Sequence, residues 1–339
     1  MNKDTIVVVD AYAHIYRAFY AVRALCNSKG QPTNALYAIS NFFLQLNDKY
    51  NSDFGAFAFD KGKPKFRMEV APDYKGNRSP MPDELRSQIE HIRRLVGLFG
   101  WNILETEELE ADDIIGVIAK KFINNDVRIF SADKDIAQLT NERVKMYIPD
   151  TKKGGQKLQG LEEVRVRFGI DAHQIIDYLA MLGDVADNIP GVQGVGPKTA
   201  VKLLEQFGSV DAMYEKIDEI SNVKLKAKIE SSKEILKKNK FLITLKCDFE
   251  DKQWDNLDCL IRKKPDWHAI ADFAEEFELK SILKKIVDRI NYEDVNDFAE
   301  MEQEEDLFSF ANSAEVSDEI EVIKESIEEE SEIYTPSLF

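Results

Sequence analysis

The chain has 339 residues, 44% of them hydrophobic, which is enough apolar material for a packed core and excludes a disordered polymer. Its formal net charge of −17 is concentrated at one end: Asn291 to Phe339 hold 17 acidic residues and one basic residue, Lys324, so the acidic total does not exclude nucleic acid as a partner. No apolar run approaches the roughly 18 to 20 residues that cross a bilayer, and MNKDTIVVVDAY lacks the regions of a signal peptide; a cytoplasmic protein without membrane contact is expected.

The first 150 residues alternate between two periods. Thr5 to Asp10 is a β-branched strand ending in a carboxylate, Asn34 to Lys49 has helical spacing, and Phe54 to Asp60 is again an apolar strand ending in Asp. The basic, proline-containing stretch from Lys61 to Pro82 breaks periodicity before a helix at Asp83 to Gly97, with Ile89, Ile92, Leu95 and Val96 on one face. WNILE then predicts a strand, ADDIIGVIAKKFINN a helix, VRIFSAD a strand ending in Asp, and VKMYI a further strand. Such alternation predicts an α/β fold with a mostly parallel central sheet flanked by helices. Beyond about Asp150 only helical spacing is evident, in LEEVRVRFG, AHQIIDYLAMLG, PKTAVKLLEQFG and a lysine-rich run carrying lysines 224, 226, 228, 233, 237, 238 and 240. The predicted organisation is an α/β core over 1–170, an all-helical domain over 171–290 and an acidic, disordered tail over 291–339.

The carboxylates that close the strands are the first chemical signal. In an open parallel sheet, ligands bind outside the carboxyl ends of the strands. Asp10, Asp60, the group Glu110, Asp112 and Asp113, and the pair Asp133 and Asp135 all fall there, and Asp184 and Asp187 join from the helical region. An isolated strand-end Asp is often only a helix cap, and that reading stays open for Asp60, Asp135 and Asp187. Gathered together, like charges would oppose folding unless cations neutralise them. Cys26, Cys247 and Cys259 form no CxxC pair and the four histidines are scattered, so the ligands are oxygens and the ion is a hard one, Mg²⁺ or Mn²⁺. Two such ions are the usual arrangement for in-line displacement at phosphorus, which points to phosphodiester hydrolysis.

The second signal is IPGVQGVGPKTA, Ile189 to Ala200, which sets Gly191, Gly194 and Gly196 between two helical stretches and Pro197 at a first helical turn. This is the pattern of a helix-hairpin-helix, placed here over 184–208. Its glycine amides approach a phosphate closely, and Lys198 reinforces the contact without reading bases. Any tight interhelical turn can use Gly and Pro, and a lysine run is often only a solvated helix face.

The motifs VVDAYAHIYRAF, FAFD, YKGNR, EADDIIG, SADKDIAQL and GDVADNIPGVQGVGPKTA stand in family order between Thr5 and Arg289. On them the chain resembles the 5′-nuclease domain at the N-terminus of bacterial DNA polymerase I, in the flap endonuclease superfamily, with a PIN-like nuclease core. It departs from the usual pattern at Ala11, where glycine is common. The resemblance implies two divalent ions, the first held by Asp10, Asp60, Glu110, Asp112 and Asp113 and the second by Asp133, Asp135, Asp184 and Asp187. It also implies a helical arch within 61–97, where Arg67, Tyr74, Lys75 and Arg78 would meet a threaded single strand. Asp10, Asp113, Lys75 and Arg78 are then the groups nearest the reaction, and Arg17 lies by the junction. Gly191, Gly194, Gly196, Lys198 and Thr199 would hold duplex DNA, with a K⁺ ion at the hairpin.

The implied activity is that of a structure-specific 5′ nuclease, a 5′-3′ exonuclease and flap endonuclease acting in primer removal and repair on branched or RNA-primed DNA. The segments resembling this domain stop near Arg289, so the chain is expected to be a monomeric nuclease or the N-terminal piece of a polymerase. Glu304 to Phe308 (EEDLF) and Thr335 to Phe339 (TPSLF) resemble the LF-ending peptides that dock on the sliding clamp, although both lack a leading glutamine. Two other classes remain. A PIN-like ribonuclease shares the carboxylates but ordinarily lacks the hairpin, and a non-catalytic junction-binding module would not need the intact acidic set.

Overall fold

A computed structural model describes residues 2–50, 52–150 and 155–291. The clamp-like peptides at Glu304 to Phe308 and Thr335 to Phe339, and the acidic tail from residue 292 onward, lie outside the described residues.

The chain opens with β1 (Ile6–Asp10) and α1 (Ala11–Ala21), then α2 (Asn34–Lys49), β2 (Phe54–Ala58), α3 (Lys65–Val70) and α4 (Asp83–Leu98). It continues through β3 (Asn102–Leu104), α5 (Ala111–Lys121), β4 (Val127–Phe130), β5 (Val144–Pro149) and β6 (Gln156–Gln159). Helices follow: α6 (Leu161–Phe168), α7 (Ile175–Leu182), α8 (Pro197–Phe207), α9 (Val210–Glu215), α10 (Val223–Ser231), α11 (Lys233–Ile243) and α12 (Trp267–Glu276). One six-stranded sheet runs in the order β3-β2-β1-β4-β5-β6. Every pair is parallel except β5 with β6.

The central strand β1 is buried along its whole length, which is why it is an unbroken β-branched run rather than an alternating one. Its register pairs Asp10 with Ala58 of β2 and Val9 with Phe130 of β4. The carboxyl ends of the three strands are therefore level, and the loops that leave them start from one edge. Helices α1, α2 and α4 pack on one another, while α5 packs on β1 and β2.

Two expectations need correction. Residues beyond Asp150 were expected to form no strand, yet Gln156–Gln159 is an antiparallel edge strand. Its sequence, QKLQ, has no apolar alternation because backbone pairing with β5, rather than a buried face, holds it there. The stretch Lys61 to Pro82 is not merely irregular either, since it contains α3, a short helix that buries Arg67.

Met1–Ile282 form one compact unit, and apolar residues from both halves share a continuous core that runs from Ile6 and Val8 through Ile114 and Ile129 to Leu179, Leu203 and Leu242. The change near residue 170 is thus a change of secondary structure without a gap in packing. Of the second unit, Leu283–Phe339, residues 283–291 are helical.

Gly55 on β2 leaves room for the Trp101 ring: a β-carbon there would overlap the ring and come within 3.0 Å of the Val7 carbonyl oxygen. Gly55→Ala is expected to destabilise the protein by about 1–3 kcal/mol, read from the midpoint of urea unfolding.

Candidate metal and nucleic-acid site

Asp10 ends β1 and caps α1, its Oδ1 accepting from the Ala13 amide at 3.1 Å. Its other oxygen accepts from Ser131 Oγ at 2.8 Å, and the same hydroxyl accepts the Asp133 amide at 3.0 Å. One serine therefore braces the ends of β1 and β4 together. Asp60, just past β2, accepts the Ala111 amide at 2.7 Å and so caps α5 from a neighbouring strand. Asp10, Asp60, Asp112 and Asp133 line one cleft of about 510 Å³ with Tyr12 and the cations Lys75 and Arg78.

Burial pushes Asp10 up to about 7, against hydrogen bonds from Ala13 and Ser131 that lower it, and the charges of Asp60 and Asp133 raise it further. Asp112 is driven well above the usual carboxylate range, first by burial and then by Asp133 and Asp10. One ligand atom each from Asp135, Asp184 and Asp187 lies within 4.8 Å of the others. Burial, then the charge of Asp133, raises Asp135 to about 8, and its Oδ1 is buried without a hydrogen-bond partner. An all-oxygen donor set, crowded and short of positive charge, with a buried acceptor unsatisfied, fits hard divalent cations.

The cations that are present are already engaged. Lys75 Nζ lies 2.6 Å from Glu110 Oε1 and 3.8 Å from Asp187 Oδ2. Arg78 pairs with the other Asp187 oxygen. Lys134, between two of the clustered aspartates, reaches Asp184 Oδ2 at 2.7 Å. Burial alone would raise Asp184, but the hydrogen bond and charge of Lys134 and the amides of Ala186 and Asp187 hold it below its ordinary value.

Three of the predicted site residues serve otherwise. Arg67, expected to face a threaded strand, is 2% exposed: its Nη1 and Nη2 grip Asp113 at 2.5 and 2.7 Å. Nη1 also donates to Glu110 at 2.9 Å and Nε to the Leu242 carbonyl at 3.0 Å. Asp113, expected to ligate metal and act in the reaction, is fully buried, with its oxygens taken by Arg67 and by the amides of Glu110 and Lys246. Being third in the helix, it closes a capping box at the start of α5. Tyr74, expected to meet the threaded strand, is buried, and its hydroxyl donates to Glu110 at 3.0 Å. Burial, with the charges of Glu110 and Asp187 next to it, keeps that phenol above its ordinary range. Sequence reasoning placed these groups by residue type and motif; in the structure all three are buried and bond to Glu110.

Arg17 is exposed and lines a separate cavity of about 230 Å³ with His14 and Phe42, away from the carboxylate cleft. In the glycine hairpin, a β-carbon at Gly191 would strike the Leu182 carbonyl, and Gly194 has φ +80°. Gly196 caps α8, Gly194 and Lys198 are exposed, and Thr199 is half-buried. Ser131 and Lys134 were missed, although both stand inside the SADKD motif that drew attention to their neighbours.

A crowded carboxylate edge on a parallel sheet is thus joined through Asp184 and Asp187 to a glycine-rich helical hairpin, and comparison with known proteins identifies this combination as that of a nuclease. The chain belongs to the 5′-3′ exonuclease family. A family model described as "5'-3' exonuclease, N-terminal resolvase-like domain" matches residues 5–169, and one described as "5'-3' exonuclease, C-terminal SAM fold" matches residues 170–267. A 5′-3′ exonuclease of Aquifex aeolicus is 36% identical over 284 residues, covering 83% of this chain and 95% of that protein. DNA polymerase I of Caldicellulosiruptor bescii is 36% identical over 285 residues, 83% of this chain and 33% of the polymerase. That of Bacillus subtilis is 40% identical over 251 residues, 73% of this chain and 28% of the polymerase. The chain thus spans about a third of the polymerases it matches and nearly all of the Aquifex protein.

Solved structures share the fold. The T5 5′-exonuclease with bound divalent metal ions (zinc) aligns with a TM-score of 0.60 at 22% identity, over 84% of this chain and 98% of that one. The catalytic core of Rad2 in complex with DNA substrate aligns with a TM-score of 0.56 at 17% identity, over 84% and 93%.

Arg67→Ala would strand a buried Asp113 charge. A loss of about 3–5 kcal/mol in urea unfolding is expected, with most of it recovered when Arg67→Met is combined with Asp113→Leu.

Proposed function

We propose that this chain is a structure-specific 5′ nuclease that hydrolyses phosphodiester bonds near single-strand to duplex junctions, releasing 5′ flaps and trimming 5′ ends, RNA primers included. The observation that carries the reading is the crowding of carboxylates in two adjoining groups, Asp10, Asp60, Asp112 and Asp133 in one cleft and Asp135, Asp184 and Asp187 in a cluster, with one Asp135 oxygen buried and unsatisfied. Membership of the 5′-3′ exonuclease family supports the same reaction. DNA as the substrate is in keeping with how the fold's neighbours are described: the Rad2 core with DNA substrate, and the T5 D15 flap endonuclease in a pseudo-enzyme-product complex with DNA and metal ions.

In this reading Asp10, Asp60, Asp112 and Glu110 hold one divalent ion, and Asp133, Asp135, Asp184 and Asp187 the other, with Mg²⁺ the expected ion and Mn²⁺ able to replace it. Bound there, the ions would polarise the phosphoryl oxygens and lower the pKa of the attacking water. The protein's own groups orient and neutralise. Ser131 keeps Asp10 and the loop of Asp133 in register, and Glu110 is fixed by Arg67 and Tyr74. Lys75 and Arg78, which line the cleft, would meet the phosphates of the strand being cut. Gly191, Gly194 and Gly196, with Lys198 and Thr199, would grip the duplex backbone, and a K⁺ ion held at that hairpin would supply positive charge for the phosphates. A polymerase acting beside this nuclease, fused or separate, and a sliding clamp docked on the tail peptides complete the proposed partnership of a monomer. Among the described residues no helix is long and apolar enough to cross a membrane.

A duplex carrying an end-labelled 5′ flap and a blocked 3′ end tests the reading. Mg²⁺-dependent product at the junction, abolished by EDTA, is the expected outcome, and cleavage indifferent to the flap would defeat it. Asp112→Asn should lower the single-turnover rate by about 10²-fold or more. Asp184→Ala should abolish cleavage while junction binding, measured by fluorescence anisotropy, stays near the unmodified value; normal cutting by that variant in excess Mg²⁺ would sink the ligand assignment.

A further inference from the structure

The cations assigned to the DNA strand are tied down by the chain itself. Residues 73–78 and 184–189 form two turns that clasp one another. The Lys75 amide donates to the Asp187 carbonyl at 3.1 Å, and Asn77 Nδ2 donates to the Val185 carbonyl at 2.6 Å. Asn188 Nδ2 donates to both the carbonyl and the carboxylate of Asp73, each at 3.0 Å. Each turn also holds a non-glycine residue in the left-handed region, Lys75 at φ +54° and Asn188 at φ +59°. Side chains adopt that conformation rarely, so the reciprocal bonds are what hold the two turns in shape.

Across this clasp, Lys75 sits on Glu110, Arg78 on Asp187 and, from the other side, Lys134 on Asp184. Asp184 and Asp187 belong to the three-carboxylate cluster with Asp135. A carboxylate oxygen that accepts from an ammonium or guanidinium is not free for a divalent ion, and the two cations would repel at such range. Arg78 and Lys134 are half to one-third exposed, at 50% and 34%, so these pairs are of the weak kind that a competing ion displaces at little cost.

We propose that the site works by an internal exchange of cations: Lys75, Arg78 and Lys134 hold Glu110, Asp187 and Asp184 until divalent ions take those carboxylates, and the exchange opens the clasp and frees Lys75 and Arg78 for the strand's phosphates. The proposal rests on the metal-dependent reading above. Lys134 and Asn188 are its positioning residues: Lys134 competes for the second ion without facing the strand, and Asn188 keeps the clasp shut. The order of events follows from the charges. Lys75 and Arg78 reach a phosphate only after the acidic site has lost its need for them, so metal loading and strand capture are coupled.

Two measurements on the full chain test this, neither of them a cleavage assay. In Mn²⁺ titrations followed by electron paramagnetic resonance, Lys134→Met and Asn188→Gly should each bind the weaker ion about two- to fivefold more tightly than the unmodified protein. Asn188→Gly retains the left-handed backbone while deleting the bonds to Asp73, so a loss of folding is not the readout. In hydrogen exchange followed by mass spectrometry, saturating Mg²⁺ should accelerate exchange in residues 73–78 by a similar factor or more. Unchanged Mn²⁺ affinity in both variants, or exchange at 73–78 indifferent to Mg²⁺, overturns the proposal and leaves the metal reading standing. No Mn²⁺ bound by the unmodified protein overturns both.

Discussion

Arg67 and Asp113 meet below the carboxylate cleft, and three parts of the chain are fastened at that contact. The guanidinium comes from α3, the carboxylate from the first turn of α5, and the carbonyls of Leu242 and Thr244 accept the guanidinium's remaining bonds from the end of α11 and the loop after it. Burying two charges is costly, and such a pair adds little net stability over apolar residues of the same shape. What it does enforce is position. The guanidinium's fork is rigid, so α3, α5 and the end of α11 have one satisfactory relative placement. Glu110 shares the same guanidinium, and the site inherits that placement directly.

Around this anchor the carboxylates divide into two electrostatic classes. Glu110, Asp184 and Asp187 have cations of the chain within reach, and Asp184 is held below its usual range by Lys134. Asp10, Asp112 and Asp135 are lifted by burial and by neighbouring carboxylates, Asp133 among them in each case. A site built this way is poised rather than neutral. The lifted acids carry unpaired negative charge, while Glu110, Asp184 and Asp187 each hold a cation of the chain. The Ser131 hydroxyl, accepting from the Asp133 amide and donating to Asp10, keeps the two strand ends from moving apart under that repulsion.

The glycine hairpin is attached to the same region through one short segment. The Asp184 and Ile189 backbones pair, with Asp184 N to Ile189 O at 2.8 Å and the reciprocal bond at 2.7 Å, so the loop carrying two acidic residues is closed at its base where the hairpin begins. Asn239, fully buried on α11, donates to the carbonyls of Ala180 and Pro190, which pins the end of α7 and the entry to the hairpin to the helical core. The acidic edge and the glycine hairpin are therefore tied together through the Asp184–Ile189 segment and the Asn239 side chain.

The strand and helix order of the α/β half, the strand-end position of the acids and the hairpin at Ile189 to Ala200 were legible in the sequence, because each is a local signal: β-branched runs, spacings of three and four, and glycines beside a helix-starting proline. The edge strand Gln156–Gln159 was not, since pairing with a neighbour leaves no mark in an apolar pattern. Sequence also determined which residues carry charge, and hence that an oxygen-only acidic cluster and a basic segment both exist. Only the tertiary structure decided how deep each charge lies and which opposite charge faces it. Arg67, Tyr74 and Asp113 look from the sequence like members of the arch and the ligand set, and burial makes them the supports of Glu110. Lys134 looks like a spacer between two aspartates, and folding sets it on Asp184. Depth and pairing depend on contacts between residues tens to more than a hundred positions apart, and no local pattern encodes them.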